Sequence, residues 1–124
     1  MKLKYFSLRE FDSPDLEKSG TNMDVSFLAK LENAREKAGI PFKINSGFRT
    51  EEHNEKVGGK QKTESSKGSS HLYGYAADIA AKSGVERWKI VKSLIDSGFS
   101  RIGIAKTFIH VDSDPDKPSA IWSY

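Results

Sequence analysis

Helical and alternating apolar patterns are interleaved along this chain in short segments with their own stop signals, and that interleaving points to a layered α+β domain. From Asp24 to Ala38, the residues Phe27, Leu28, Leu31, Ala34 and Ala38 recur at three- and four-residue spacing, which places them on one face of a helix. Asp24 stands at the N-cap, Gly39 at the C-terminal cap, and Pro41 bars continuation. Phe42 to Ser46 alternates as a half-buried strand does, and Thr50 caps a short helix over Glu51 to Val57 that Gly58-Gly59 closes. Tyr75 to Ala81 reads as a buried strand. Ser83 or Gly84 opens a second long helix through Ser97, with Val85, Trp88, Val91, Leu94 and Ile95 as its apolar stripe and Gly98 at its end. Arg101 to Ala105 and Phe108 to Asp112 read as two strands joined by a tight turn at Lys106-Thr107. The order helix, strand, helix, strand, helix, strand, strand predicts a small, mainly antiparallel sheet with helices packed on it.

A chain of 124 residues has room for one hydrophobic core, so residues 1–124 are read as a single domain. The segment to about Gly20 should wrap the core as an irregular arm. Lys60 to Ser70, rich in Lys, Ser, Thr and Gly, should be an exposed, mobile loop, and the tail with Ile121, Trp122 and Tyr124 should pack back on the domain. The opening residues are basic but carry no apolar run of signal-peptide length, which predicts a protein made in the cytoplasm and kept there until something else releases it. No stretch approaches the roughly 18 apolar residues of a membrane span, so no membrane partner is expected. The net charge of +3 comes from scattered Lys and Arg residues without a dense block. That pattern suits a polyanionic surface such as a bacterial wall and argues against nucleic acid as the partner.

With no cysteine, disulfides, zinc fingers and thiol nucleophiles are excluded, and any metal site must be built from histidine and carboxylate donors. The histidines are His53, His71 and His110. Asp78 follows His71 by seven residues, across a turn at Leu72-Tyr73-Gly74 that lets both side chains converge. Within its strand Asp78 shares a face with Ala76 and Ala80, which leaves space beside the carboxylate. His110 and Asp112 share one face of the last strand, with Ile109 and Val111 on the other. Two His and one Asp would leave zinc a fourth position for water, and Asp112 lies one pleat away as a general base. The same donors also suit iron(II). Read singly, each of these residues is as well explained as a structural or surface group; His53, among Glu51, Glu52, Asn54 and Glu55, reads as a surface residue, and Asp112 as a turn cap.

The stretch Ser69-Ser70-His71-Leu72-Tyr73-Gly74-Tyr75-Ala76-Ala77-Asp78 resembles the Ser-x-His-x-x-Gly-x-Ala-x-Asp signature of zinc D-Ala-D-Ala peptidases, family fifteen of the metallopeptidases, which are grouped with lysostaphin-type enzymes and the hedgehog signalling domain. Asn45-Ser46-Gly47-Phe48-Arg49-Thr50, Glu52-His53-Asn54 with Val57-Gly58-Gly59, and Phe108-Ile109-His110-Val111-Asp112 resemble further blocks of that family in the same order, so the likeness runs from about Phe11 to Asp112. It implies a hedgehog/D-Ala-D-Ala peptidase-like fold and a zinc ion held by His71, Asp78 and His110. It also implies Arg49 as the residue that binds substrate or steadies the oxyanion, and Ser69 as a substrate neighbour or loop cap. Many relatives carry an acid–base residue shortly before the last histidine. Here Lys106, Thr107, Phe108 and Ile109 offer none, which leaves Asp112 as the expected base. The expected activity is hydrolysis of a peptide bond in peptidoglycan stem peptides by a monomer, in the manner of a D-Ala-D-Ala carboxypeptidase or of a phage endolysin freed by a separate pore or carried on a virion. The alternative is a zinc-containing module that binds the cell wall without cleaving it.

Overall fold

A computed structural model describes residues 2–124. The elements, in chain order, are α1 (Val25–Ala38), β1 (Ile44–Ser46), α2 (Glu51–Lys56), β2 (Ala76–Ala80), α3 (Gly84–Asp96), β3 (Arg101–Ile104), β4 (Phe108–Asp112) and β5 (Ala120–Ser123). The N-terminal arm folds as two 3-10 turns, Leu8–Phe11 and Ser19–Asn22, and a third spans Ser70–Tyr73. The strands form one five-stranded sheet in the order β1-β2-β4-β3-β5. It is antiparallel except for the parallel pair β3–β5. The α+β class and the mainly antiparallel sheet are as the sequence pattern requires, whereas β5 was expected only as packed tail.

The caps explain the helix bounds. Asp24 accepts the Phe27 amide at 2.9 Å, Thr50 that of His53 at 3.1 Å, and Ser83 that of Glu86 at 3.2 Å. One face of the sheet, with Ala77, Ile79, Ile102, Ile109 and Val111, packs against Phe27, Leu28 and Leu31 of α1 and Ile90 and Leu94 of α3. Each fully buried side chain of this size contributes about 1.5–3 kcal/mol. The stripe expected on α3 is corrected in part: Leu94 is buried and Val91 packs on the core as expected, but Val85, Trp88 and Ile95 are more than half exposed, and Ile90 and Ser93 are buried in their place. The loop from Lys60 is exposed only as far as Ser65. Beyond it, Lys67 reaches the buried Asp114 at 2.9 Å and Asp116 at 2.8 Å, while Lys117 binds the Gly68 carbonyl at 3.0 Å and Ser70 Oγ at 2.8 Å. The rim of the opposite sheet face is thereby pinned to the turn that follows β4. Among the described residues, no helix is long and apolar enough to cross a membrane.

Candidate metal centre

On the sheet face that α1 and α3 leave free, register brings chemistry together. Asp78 on β2 stands directly opposite His110 on β4, so both side chains rise from the same face. His71 arrives from the 3-10 turn Ser70–Tyr73, just before β2. Ser69 caps that turn by accepting the His71 amide at 3.2 Å. Gly74 ends it at φ +76°, where an added Cβ would lie 2.1 Å from the Asn22 carbonyl oxygen, so glycine alone fits. The Arg49 amide donates to the His71 carbonyl at 3.0 Å and ties the end of β1 to the turn. His71, Asp78 and His110 are all buried and each offers a donor atom within 4.8 Å of the others.

The outer hydrogen bonds fix which atoms face inward. His71 Nδ1–H donates to the Gly47 carbonyl at 2.7 Å, since a carbonyl only accepts, and its Nε2 lone pair is left 3.3 Å from Asp78 Oδ1. His110 has a carboxylate at each nitrogen: Nε2 lies 2.7 Å from Asp112 Oδ2 and Nδ1 2.9 Å from the same Asp78 oxygen, so the neutral ring that keeps its proton on the Asp112 side turns a free Nδ1 inward. With both rings in these neutral forms, two imidazole lone pairs and a carboxylate oxygen converge with no N–H among them. Such a set is repulsive unless a proton or a cation is shared. The donor chemistry therefore fits a divalent ion, and two His with one carboxylate is a zinc-type set. His53, in α2, stands outside the cluster, as its polar surroundings suggested.

Titration follows the same geometry. Burial depresses the His71 pKa and outweighs its bond to Asp78. Burial also pulls His110 down, but its bonds to Asp112 and Asp78 prevail and hold it above its ordinary value. Asp78 is likewise desolvated, yet the two imidazoles keep it well below the usual carboxylate range. In the metal-free protein a proton on His110 thus stabilises the fold below its unfolded pKa, and that stabilisation disappears as pH rises through the raised folded value. Zinc must displace this proton. Calorimetric titration should therefore show zinc affinity climbing by up to about tenfold per pH unit from pH 6 until His110 titrates, with proton release proportional to buffer ionisation heat. An affinity independent of pH in that window would contradict the assignment of His110 Nδ1 as a ligand.

Asp112, expected as the proton-accepting carboxylate, stands behind His110 rather than before it. Its side chain is 1% exposed. Oδ2 takes the imidazole proton, while Oδ1 accepts from Arg101 Nε at 2.8 Å and from the Asp114 amide at 3.2 Å. Asp112→Asn separates the two roles. An orienting carboxylate predicts zinc affinity about 10- to 100-fold weaker, with turnover recovering at saturating zinc. A general base predicts unchanged zinc content and a turnover defect that zinc does not repair.

Arg49 completes the inner wall. Its Nε donates to Ser46 Oγ at 3.0 Å, one terminal nitrogen to Asn54 Oδ1 at 3.2 Å and the other to Asp78 Oδ2 at 3.3 Å. Burial lowers its pKa and Asp78 opposes the shift; a guanidinium so placed stays charged. Glu51 and Glu52, its nearest acids in sequence, are not its partners. Arg49, Ser69, His71, Asp78, His110 and Asp112 all line one cleft of about 480 Å³. Asn54, fully buried against Arg49, and Arg101, bonded to Asp112, are supporting positions the sequence reading did not single out. Asn54 sits among charged residues on a short helix, and the link of Arg101 to Asp112 exists only through the register of β3 with β4.

The fold and the cluster together define an α+β protein whose two imidazoles and one carboxylate are placed so that they could hold one metal ion. The chain matches the family model described as Peptidase M15 over residues 4–112, and it belongs to that family of metal-dependent peptidases. Among curated proteins, none matches the chain.

Proposed function

We propose that this protein is a zinc peptidase that hydrolyses a peptide bond in peptidoglycan stem peptides, acting as a monomer. The observation that carries the reading is the convergence of His71 Nε2, Asp78 Oδ1 and His110 Nδ1 on one point at the floor of the cleft, with Arg49 beside it. When bound, zinc supplies a Lewis acid that polarises a carbonyl and acidifies water. The protein's own groups do the rest. Gly47 and Asp112 hold the two imidazoles in the tautomers that leave the inward nitrogens free. Arg49, preset by Ser46, Asn54 and Asp78, offers a cation to the oxyanion that develops on the attacked carbonyl or to a substrate carboxylate. Lys60, Arg101 and Lys117 also line the cleft, against only Asp78 and Asp112. That excess of positive charge supports an anionic substrate such as a wall stem peptide. In this role the protein would act once released to the wall, or as part of a virion.

The test is mass spectrometry of purified muropeptides after incubation with the protein, with and without a chelator, alongside zinc content. Zinc near one equivalent and chelator-sensitive cleavage are expected. Chelator-insensitive cleavage would overturn the mechanism, and bound zinc with every muropeptide intact would favour the wall-binding module.

A further inference from the structure

The matched family region ends at Asp112, yet the cleft does not: Trp122 of β5 and Tyr124, the residue after that strand, line it as well. One row of register runs across the whole sheet, from Ser46 through Asp78, His110 and Gly103 to Trp122. Gly103 is where this row has no side chain. A Cβ there would lie 2.6 Å from Trp122 Nε1 and 2.7 Å from Cε2, so the indole occupies the space a side chain would take. Its ring reaches to 5.6 Å from the His110 imidazole, and the Arg101 guanidinium sits 5.0 Å from its centroid. Tyr124 packs at 5.4 Å from Phe108, which lines the same cleft. The sheet order puts Arg49, at the end of β1, on one side of the ligands and Trp122, on β5, on the other, with Phe108 at the start of the ligand strand β4 itself. The cleft is therefore polar and cationic toward β1, while toward β5 it is walled by aromatic rings, with the Arg101 guanidinium stacked on the indole.

We propose that Phe108, Trp122 and Tyr124 form an apolar subsite that receives the aliphatic side chain of the substrate residue next to the bond cut. The substrate's anionic end then lies toward Arg49 and Lys60. Flat, rigid rings give such a group contact area at little cost in ordering, and the seat left by Gly103 together with the Arg101 guanidinium fixes the indole before substrate arrives. The inference rests on the metal reading of the site but not on which bond is hydrolysed.

The experiment uses zinc-loaded protein and a series of straight-chain alkyl hydroxamates, from acetohydroxamate to hexanohydroxamate, which anchor on the metal and extend an aliphatic chain of increasing length. Affinity is read by calorimetry. The wild-type protein should gain about two- to fourfold per added methylene over the first few carbons. Trp122→Ala should flatten the series while keeping zinc. Gly103→Ala, which evicts the indole from its seat without removing it, should flatten it too. A series already flat in the wild type, or an undiminished slope in both variants, overturns the subsite. Zinc content and muropeptide cleavage, measured on the same samples, report separately on the peptidase reading: cleavage with a flat series rejects the subsite alone, whereas absence of zinc rejects the metal site and the subsite together.

Discussion

His71→Ala should remove zinc and peptidase activity together, with turnover falling by at least about 10³-fold, because a metal ion supplies several kcal/mol of transition-state stabilisation. The side chain is 3% exposed, its outer nitrogen is fixed on the Gly47 carbonyl, and its inner nitrogen is one of only three donors facing the centre. Two remaining donors, His110 and Asp78, would hold an ion far less tightly. Elemental analysis and muropeptide cleavage check the two losses, and circular dichroism shows that the variant is folded. A folded His71→Ala protein that keeps stoichiometric zinc and normal cleavage would refute the site.

Arg49→Ala should do the opposite to the metal and nearly the same to the chemistry. Zinc content should stay near wild type, since Arg49 touches Asp78 through Oδ2 while the imidazoles converge on Oδ1. The turnover number should fall by about 10²–10³, the usual loss when a preset donor to an oxyanion is removed. Arg49→Lys should recover little. An ammonium cannot reproduce the fork that binds Ser46, Asn54 and Asp78 at once. Steady-state kinetics with parallel zinc analysis checks this, and an unchanged turnover number would show that Arg49 is a structural cation only.

What the sequence disclosed was what local signals encode. Asp24 and Gly39 bound α1 because capping is settled within a few residues, and the alternation Phe108 to Asp112 sorted Ile109 and Val111 to the core and His110 to the cleft for the same reason. What it withheld depends on partners distant in the chain. β5 is four exposed or half-exposed residues beyond a proline, and its strand geometry comes from pairing with β3. On α3, apolar spacing marks a broad sector, and only docking against α1 and the sheet decides that Ile90 and Leu94 are its centre. Asp112 was placed on the correct face, but its partner Arg101, eleven residues earlier and directly across the register, was not foreseen.

The placement of Asp78 and His110 on neighbouring central strands has a consequence for how the protein lives without its ion. An ion there would rivet the middle of the sheet to the turn that carries His71, so its grip cannot slacken through the fluctuation of some outlying loop. Filling the site would therefore add to the stability of the folded sheet as a whole rather than to that of one loop. Without an ion, the proton on His110 and the hydrogen bonds to Gly47, Asp112 and Arg49 keep these groups at close quarters, and an ion would take over the place of that proton.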